Sequence, residues 1–316
     1  MARYLDPKND LVFKRIFGEH PHLLISFLNA ILPLETEIET VEYLSPEMTP
    51  DTPTKKNSIV DVRCVDSQKR TFIVEMQMYW TTAVMNRMVF NTSKAYVRQL
   101  DKAESFSLLQ PVYGIGIIND IFDRVTDEFY HHYQILNKEN TSETIKGLEY
   151  IIVELPKFKI SKWEQKKMAA LWLLFLSEIS ERTQKVPNEL LNNETINEAL
   201  SICEEAAFTD KELAAYDAHW DVIRTEKGLI EESRREGMEK GIEKGMEKGI
   251  EKGIEKGIEK GREEGRKEGR EEGIKKGEED TNRKTIAKCK ENGFSIKQII
   301  AITGLSEEQI NKLSNS

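Results

Sequence analysis

Apolar and polar positions alternate with a period of two from Ser58 to Asp66 and again from Arg70 to Tyr79, on either side of the polar triplet Ser67-Gln68-Lys69. Two such runs around a three-residue loop predict a β-hairpin. With the turn centred on Gln68, Asp61 lies opposite Glu75. Val60, Val62 and Cys64 then meet Phe72, Val74, Met76 and Met78 on one face. Ile59, Asp61, Arg63, Ile73, Glu75 and Gln77 share the other, so one face is core and the second is mixed. Upstream, helical spacing starts at Asp10 and resumes from His22 to Ile31 until Pro33 stops it. Further strands are expected at 38–44, 111–118, near 128–136 and at 148–155, with a helix over 82–105 between the hairpin and Pro111. This order implies a mixed sheet covered by helices, an α/β or α+β domain ending near Pro156. Residues 161–225 read as helices. Trp163, Met168, Leu171, Trp172 and Phe175 make an apolar packing stripe there, and segments 194–207 and 210–230 complete a helical appendage.

Beyond it the pattern changes to a strict four-residue repeat. Glycine recurs at every fourth position from Gly237 to Gly277, with 12 Lys or Arg against 13 Glu between Gly237 and Glu279. On a helix, a period of four advances about 40° per repeat, so a glycine stripe and an Ile/Met stripe wind side by side around the axis. Each glycine costs about 1 kcal/mol relative to alanine, and Glu falls four residues from Glu. The segment is therefore either a flexible charged linker or a helix whose glycines admit a second helix and whose Ile/Met row is buried by self-association. After residue 280 two capping-box starts, Ser295 to Gln298 and Ser306 to Gln309, flank a Thr-Gly-Leu turn. They predict a helix-turn-helix shape, suited to DNA or to another protein.

Composition narrows the function classes. The formal net charge of −9 argues against indiscriminate electrostatic binding of nucleic acid, while leaving room for a local basic surface. No run of 18 apolar residues occurs and the N-terminal residues lack a signal-peptide core, so a cytoplasmic protein without a membrane span is expected. Cys64, Cys203 and Cys289 have no metal-ligand spacing and read as reduced thiols, and the five histidines read as structural.

The chemistry sits in the hairpin. Carboxylates directly opposed across a ladder repel, so Asp61 and Glu75 require a cation, a proton or open water between them. A divalent metal is the most useful of these, and the branched apolar residues Ile59, Val65 and Ile73 around the acids suit a half-buried cleft better than a wet sheet face. Asp10, at the start of its helix, is either a capping acid favoured by the helix dipole or part of a site. Arg87, Asn91, Lys94 and Arg98 share one helix face, either as solvated surface or as a row that receives phosphates.

Four segments, Leu5 to Gly18, Ile59-Val-Asp-Val62, Val74-Glu-Met-Gln77 and Glu154-Leu-Pro-Lys157, together resemble the recombination-promoting nuclease or transposase family of the PD-(D/E)XK nuclease superfamily. The likeness covers about residues 1–225, and the glycine repeat is similar to tails common in that family. It implies a restriction-endonuclease-like core, which the element order places at 1–157; the residue patterns add the helical appendage at 158–230, the repeat at 231–280 and the helix-turn-helix-like segment at 281–316. By the same resemblance Asp61 and Glu75 are the paired site acids, Asp10 is the helix acid that completes the site, and Gln77 stands where the superfamily carries lysine. Asp61, Glu75 and the Met76 carbonyl would hold Mg²⁺ or Mn²⁺, with Arg63, Arg87, Lys94 and Arg98 near the phosphates. Double-stranded DNA is the implied substrate, and a homodimer or higher homo-oligomer formed through the repeat the implied assembly. The alternative is a decayed nuclease fold serving as a DNA-binding or assembly module, because Gln77 can neither act as a base nor carry positive charge.

Overall fold

A computed structural model describes residues 3–49, 56–160 and 167–315; Trp163 lies outside them. The chain divides between Ile230 and Glu231 into two compact units.

The first unit opens with α1 (Asp10–Glu19) and α2 (Pro21–Ile31), then β1 (Val41–Tyr43), β2 (Glu47–Met48), β3 (Ser58–Ile59), β4 (Val62–Asp66) and β5 (Thr71–Gln77). There follow α3 (Thr82–Val97), β6 (Val112–Ile118), β7 (Tyr130–Leu136), β8 (Thr144–Glu154), α4 (Lys167–Glu178), α5 (Asn188–Leu191), α6 (Glu194–Ile202) and the start of α7 (Asp210–Glu291). Six strands form one mixed sheet in the order β1-β4-β5-β6-β8-β7, with β5, β6 and β8 parallel and the outer pairings antiparallel. Strands β2 and β3 pair separately, an element that their two-residue length hides in the sequence.

The central hairpin has the expected register: Val62 pairs with Val74, Cys64 with Phe72 and Val65 with Thr71. Its turn is held by Asp66, whose Oδ1 accepts from Gln68 N at 3.0 Å and Arg70 N at 2.8 Å, while Oδ2 accepts from Arg70 Nε at 2.6 Å. Lys69 takes a left-handed backbone (φ 66°), as the third residue of such a loop does.

Alternation along the strands separates two faces. Phe72, Val74, Met76, Ile115, Ile117, Ile151 and Val153 point into one large core shared with α1, α2, α4 and α6, centred on the fully buried Trp172. On the opposite face α3 covers Ile73, Val112 and Val60 in one cluster and Ile118 and Ile152 in another. The mixed hairpin face is therefore roofed by a helix. Val60 lies on this face, not with Val62 and Cys64, because the strand breaks at Asp61 between β3 and β4. α3 ends at Val97, eight residues short of the expected Ser105, and the chain crosses to β6 through a turn with Ala103 at φ 78°.

Close approach of α3 depends on two glycines of β6. A methyl at Gly114 would meet Thr92 Cγ2 at 2.9 Å, Met88 Cγ at 3.0 Å and Tyr150 Cδ1 at 3.1 Å. At Gly116 it would press chiefly on the mobile end of Met88.

In the second unit the repeat is helical, within α7, and its Ile and Met side chains from Met238 to Ile274 are exposed. Among the described residues nothing lies within 4 Å of a Cβ added at any glycine from Gly237 to Gly277. Gly293 (φ 76°) ends α7, and Phe294 N donates to Cys289 O at 3.1 Å. α8 (Ile296–Thr303) and α9 (Glu307–Asn315) come next, joined through Gly304 (φ 69°), and Ile299 and Ile310 pack on Ile286 and Cys289.

Gly114→Ala is expected to destabilise the first unit by about 1–3 kcal/mol through overpacking, and Gly116→Ala by less. Urea unfolding followed by tryptophan fluorescence measures both.

Candidate active site

The break that separates β3 from β4 turns Asp61 out of the ladder. Its carboxylate reaches sideways to β5, where Oδ2 accepts from Met76 N at 2.7 Å, a donor that a strand carbonyl would otherwise meet. In an extended strand the carbonyl of the same residue leaves on that side as well, so Met76 offers both groups to the Asp61 edge. Glu75, the next residue back, points to the α3 face and is almost completely buried. Its Oε1 accepts from Asn91 Nδ2 at 3.1 Å and its Oε2 from Arg87 Nη2 at 3.0 Å, with Gln77 Nε2 3.4 Å away. Asp10 approaches from the first turn of α1.

These residues meet at one cavity of about 550 Å³, lined by Asp10, Asp61, Glu75, Met76 and Gln77 and by Arg87 on the α3 side. Its far wall comes from the first turns of α7, with His219, Ile223 and Glu226. Lys8 also lines it, but its ammonium is turned to Asp6 Oδ1 (2.8 Å) and Leu176 O (3.0 Å).

Burial pushes the Asp61 carboxyl up to about 7, and the nearby charges of Asp10 and Glu75 add to the rise; the Met76 N–H and Lys14 oppose it. Lys14 Nζ lies 2.7 Å from Asp10 Oδ1 and 3.8 Å from Asp61 Oδ1.

Several expectations change at this point. Asn9, not Asp10, caps α1, its side chain accepting from Leu11 N at 3.0 Å, which leaves Asp10 to face the cavity. The row along α3 is neither plain solvated surface nor an open cationic stripe. Arg87 and Asn91 hold Glu75, whereas Lys94 and Arg98 donate to the carbonyls of Met48 and Thr49. Arg63 is half-buried, its guanidinium lowered by burial and by the charge of Arg98, and its Nε makes no hydrogen bond among the described residues. Sequence reading missed Lys8, Lys14 and His219. The i,i+4 spacing of Asp10 and Lys14 was a usable signal for one of them; nothing near His219 in the chain foretold its place at the cavity, where its Nε2 has no hydrogen-bond partner among the described residues.

The family model of the PD-(D/E)XK nuclease family transposases covers residues 7–233. The chain belongs to that family. Neither a curated protein nor a solved structure matches it. PD-(D/E)XK nucleases generally use divalent metals, and the donor chemistry of this member fits: carboxylate and carbonyl oxygens are hard ligands, and the Asp61 carboxyl, raised chiefly by burial, lies near enough to Asp10 and Glu75 for their charges to add to the rise. The carboxylates are engaged by Lys14, Arg87 and Asn91, and among the described residues no three His, Cys, Asp or Glu side chains are clustered to hold a metal ion. Nor, among those residues, is any helix of this nuclease-family protein long and apolar enough to cross a membrane.

A carboxyl raised in the folded state binds its proton more tightly there than in the unfolded chain. That stabilisation is complete below the ordinary value of 3.8 and is lost as the pH rises through about 7. In chelator, Asp61→Asn keeps an acceptor for Met76 N–H but cannot ionise. Its melting temperature should therefore gain on wild type between about pH 5 and pH 8. Thermal melts across that range test this, and a constant difference rejects it.

Proposed function

We propose that this chain is a metal-dependent endodeoxyribonuclease that hydrolyses phosphodiesters of double-stranded DNA, acting in recombination or in the movement of mobile elements. The observation that carries the reading is the gathering of Asp10, Asp61 and Glu75 around one cavity, in a chain of a nuclease and transposase family. Asp61, Glu75 and the Met76 carbonyl are the residues that would hold Mg²⁺ or Mn²⁺, with Asp10 completing the acidic set. A bound divalent ion makes water more acidic and stabilises charge on the scissile phosphate. Asn91 and Arg87 orient Glu75 from α3, and Gln77 offers its amide to a water or a phosphate oxygen. Of the four cations read as phosphate contacts, Arg63 remains for that role, since Arg87 is bonded to Glu75 and Lys94 and Arg98 donate to backbone carbonyls.

The repeat of α7 supplies self-association. Among the described residues nothing lies within 4 Å of a Cβ added at its glycines, and a second copy could use the open glycine stripe and bury the exposed Ile and Met row. The helical pair after it serves target choice or caps the assembly. Buried, unbonded Cys64, Cys203 and Cys289 suit a reducing, cytoplasmic setting.

One observation favours the second reading, a non-catalytic DNA-binding or assembly module: both oxygens of Glu75 are taken by α3 side chains, and Gln77 brings no charge. Nicking of supercoiled plasmid decides between the two. With Mg²⁺ or Mn²⁺ the wild type should relax the plasmid, chelator should stop it, and Asp61→Ala or Glu75→Ala should reduce the rate by about 100-fold or more at unchanged circular dichroism. Absence of wild-type nicking, together with no carboxylate-dependent heat on Mn²⁺ titration, selects the module. For assembly, Ile→Glu changes at Ile242, Ile250 and Ile254 should lower the sedimenting mass to that of the monomer.

A further inference from the structure

Beside the acidic cleft stands a partly exposed cation that the Val74-Glu-Met-Gln77 segment of β5 does not supply. Besides His219 on the far wall, Lys8, Arg87 and Lys14 approach its carboxylates or its walls. Lys8 is buried and fixed by Asp6 and the Leu176 carbonyl. Arg87 is committed to Glu75. Lys14, 37% exposed against 43% for Arg87, differs in its partners: its Nζ stands between two carboxylates from different elements, 2.7 Å from Asp10 Oδ1 and 3.8 Å from Asp61 Oδ1. The Asp10 contact is an i,i+4 pair on one helix, a weak bond on a long flexible stem that a stronger competitor displaces readily. The Asp61 contact is longer than a hydrogen bond. Gln77, whose uncharged amide reaches toward Glu75, leaves the cleft without a cation on the β5 side.

We propose that Lys14 is a displaceable counter-ion that becomes a catalytic residue: its ammonium neutralises Asp10 and Asp61 in the free protein, gives way when a divalent ion takes those oxygens, and then stabilises the negative charge of the scissile phosphate. This rests on the nuclease reading above. The compact ammonium on four methylenes suits that exchange, since it acts as a point charge with freely rotating donors and needs no planar fork to match. Lys14 lies one helical turn beyond Asp10, so the released side chain stays beside the same pair of carboxylates. Two effects of opposite sign result. Removing the ammonium takes away a competitor for the carboxylates, which strengthens metal binding, and at the same time takes away charge needed at the phosphate, which weakens cleavage. A lysine that merely holds α1 in place would weaken both or change neither.

The test uses the full-length protein with Lys14→Met, Lys14→Gln and Lys14→Arg, each checked for fold by circular dichroism. Calorimetric titration with MnCl₂ alone, after chelator treatment, should give about 3–10-fold tighter binding for the Met and Gln variants. Plasmid nicking at saturating Mn²⁺ should fall about 100-fold in both, and Lys14→Arg should recover part of the rate. Unchanged or weaker Mn²⁺ binding, or nicking at the wild-type rate, overturns the proposal. Glu75→Ala separates the two levels of inference. If it abolishes nicking while Lys14→Met nicks as wild type, only the role of Lys14 fails; if Glu75→Ala itself nicks as wild type, the nuclease site fails with it.

Discussion

The burial of carboxylates beside one cavity is the constraint that the elements around the candidate site answer. Asp10, Asp61 and Glu75 come from a helix start, a strand break and a strand interior, and every polar neighbour they have answers their charge. The Met76 N–H binds Asp61, Asn91 and Arg87 bind Glu75, and Lys14 spans Asp10 and Asp61. Placing Asp61 and Glu75 where water is scarce is a poor way to build stability, and each is therefore tied to donors that compensate it.

The glycines of β6 are part of the same arrangement. They let α3 lie close enough on the sheet for Arg87 and Asn91 to reach a fully covered Glu75, while Thr92 on that helix bonds the Tyr150 hydroxyl at 3.0 Å. Position of the acid and packing of the helix are thus one problem. A change at Gly114 disturbs both, although it touches neither carboxylate.

Much of this was legible before any coordinates. Period-two alternation around a three-residue loop fixed the hairpin register, because a slip of one residue would have moved Phe72 and Val74 out of the core. Three things were hidden for physical reasons. Asp61 was expected to face Glu75 as a ladder partner, but the pairing ends at Val62 and the side chain turns to a backbone donor, a choice that local pattern does not encode. The polar row on α3 reads as surface because arginine, asparagine and lysine usually are surface; the buried acid beneath explains the inward use of Arg87 and Asn91, while Lys94 and Arg98 turn to the Met48 and Thr49 carbonyls. His219 reaches the cavity through tertiary packing across more than two hundred residues, for which one sequence carries no signal.

The four-residue period of α7 has a mechanical corollary. Gain or loss of one whole unit leaves every remaining glycine, isoleucine, glutamate and lysine in its own row, so the surface chemistry of the rod is insensitive to its length. Each unit nevertheless extends the helix by about 6 Å and rotates the downstream residues by about 40°. Within the second unit the repeat therefore acts as a vernier, on which reach and azimuth of the terminal helical pair can be reset in discrete steps without redesigning a single contact along the shaft.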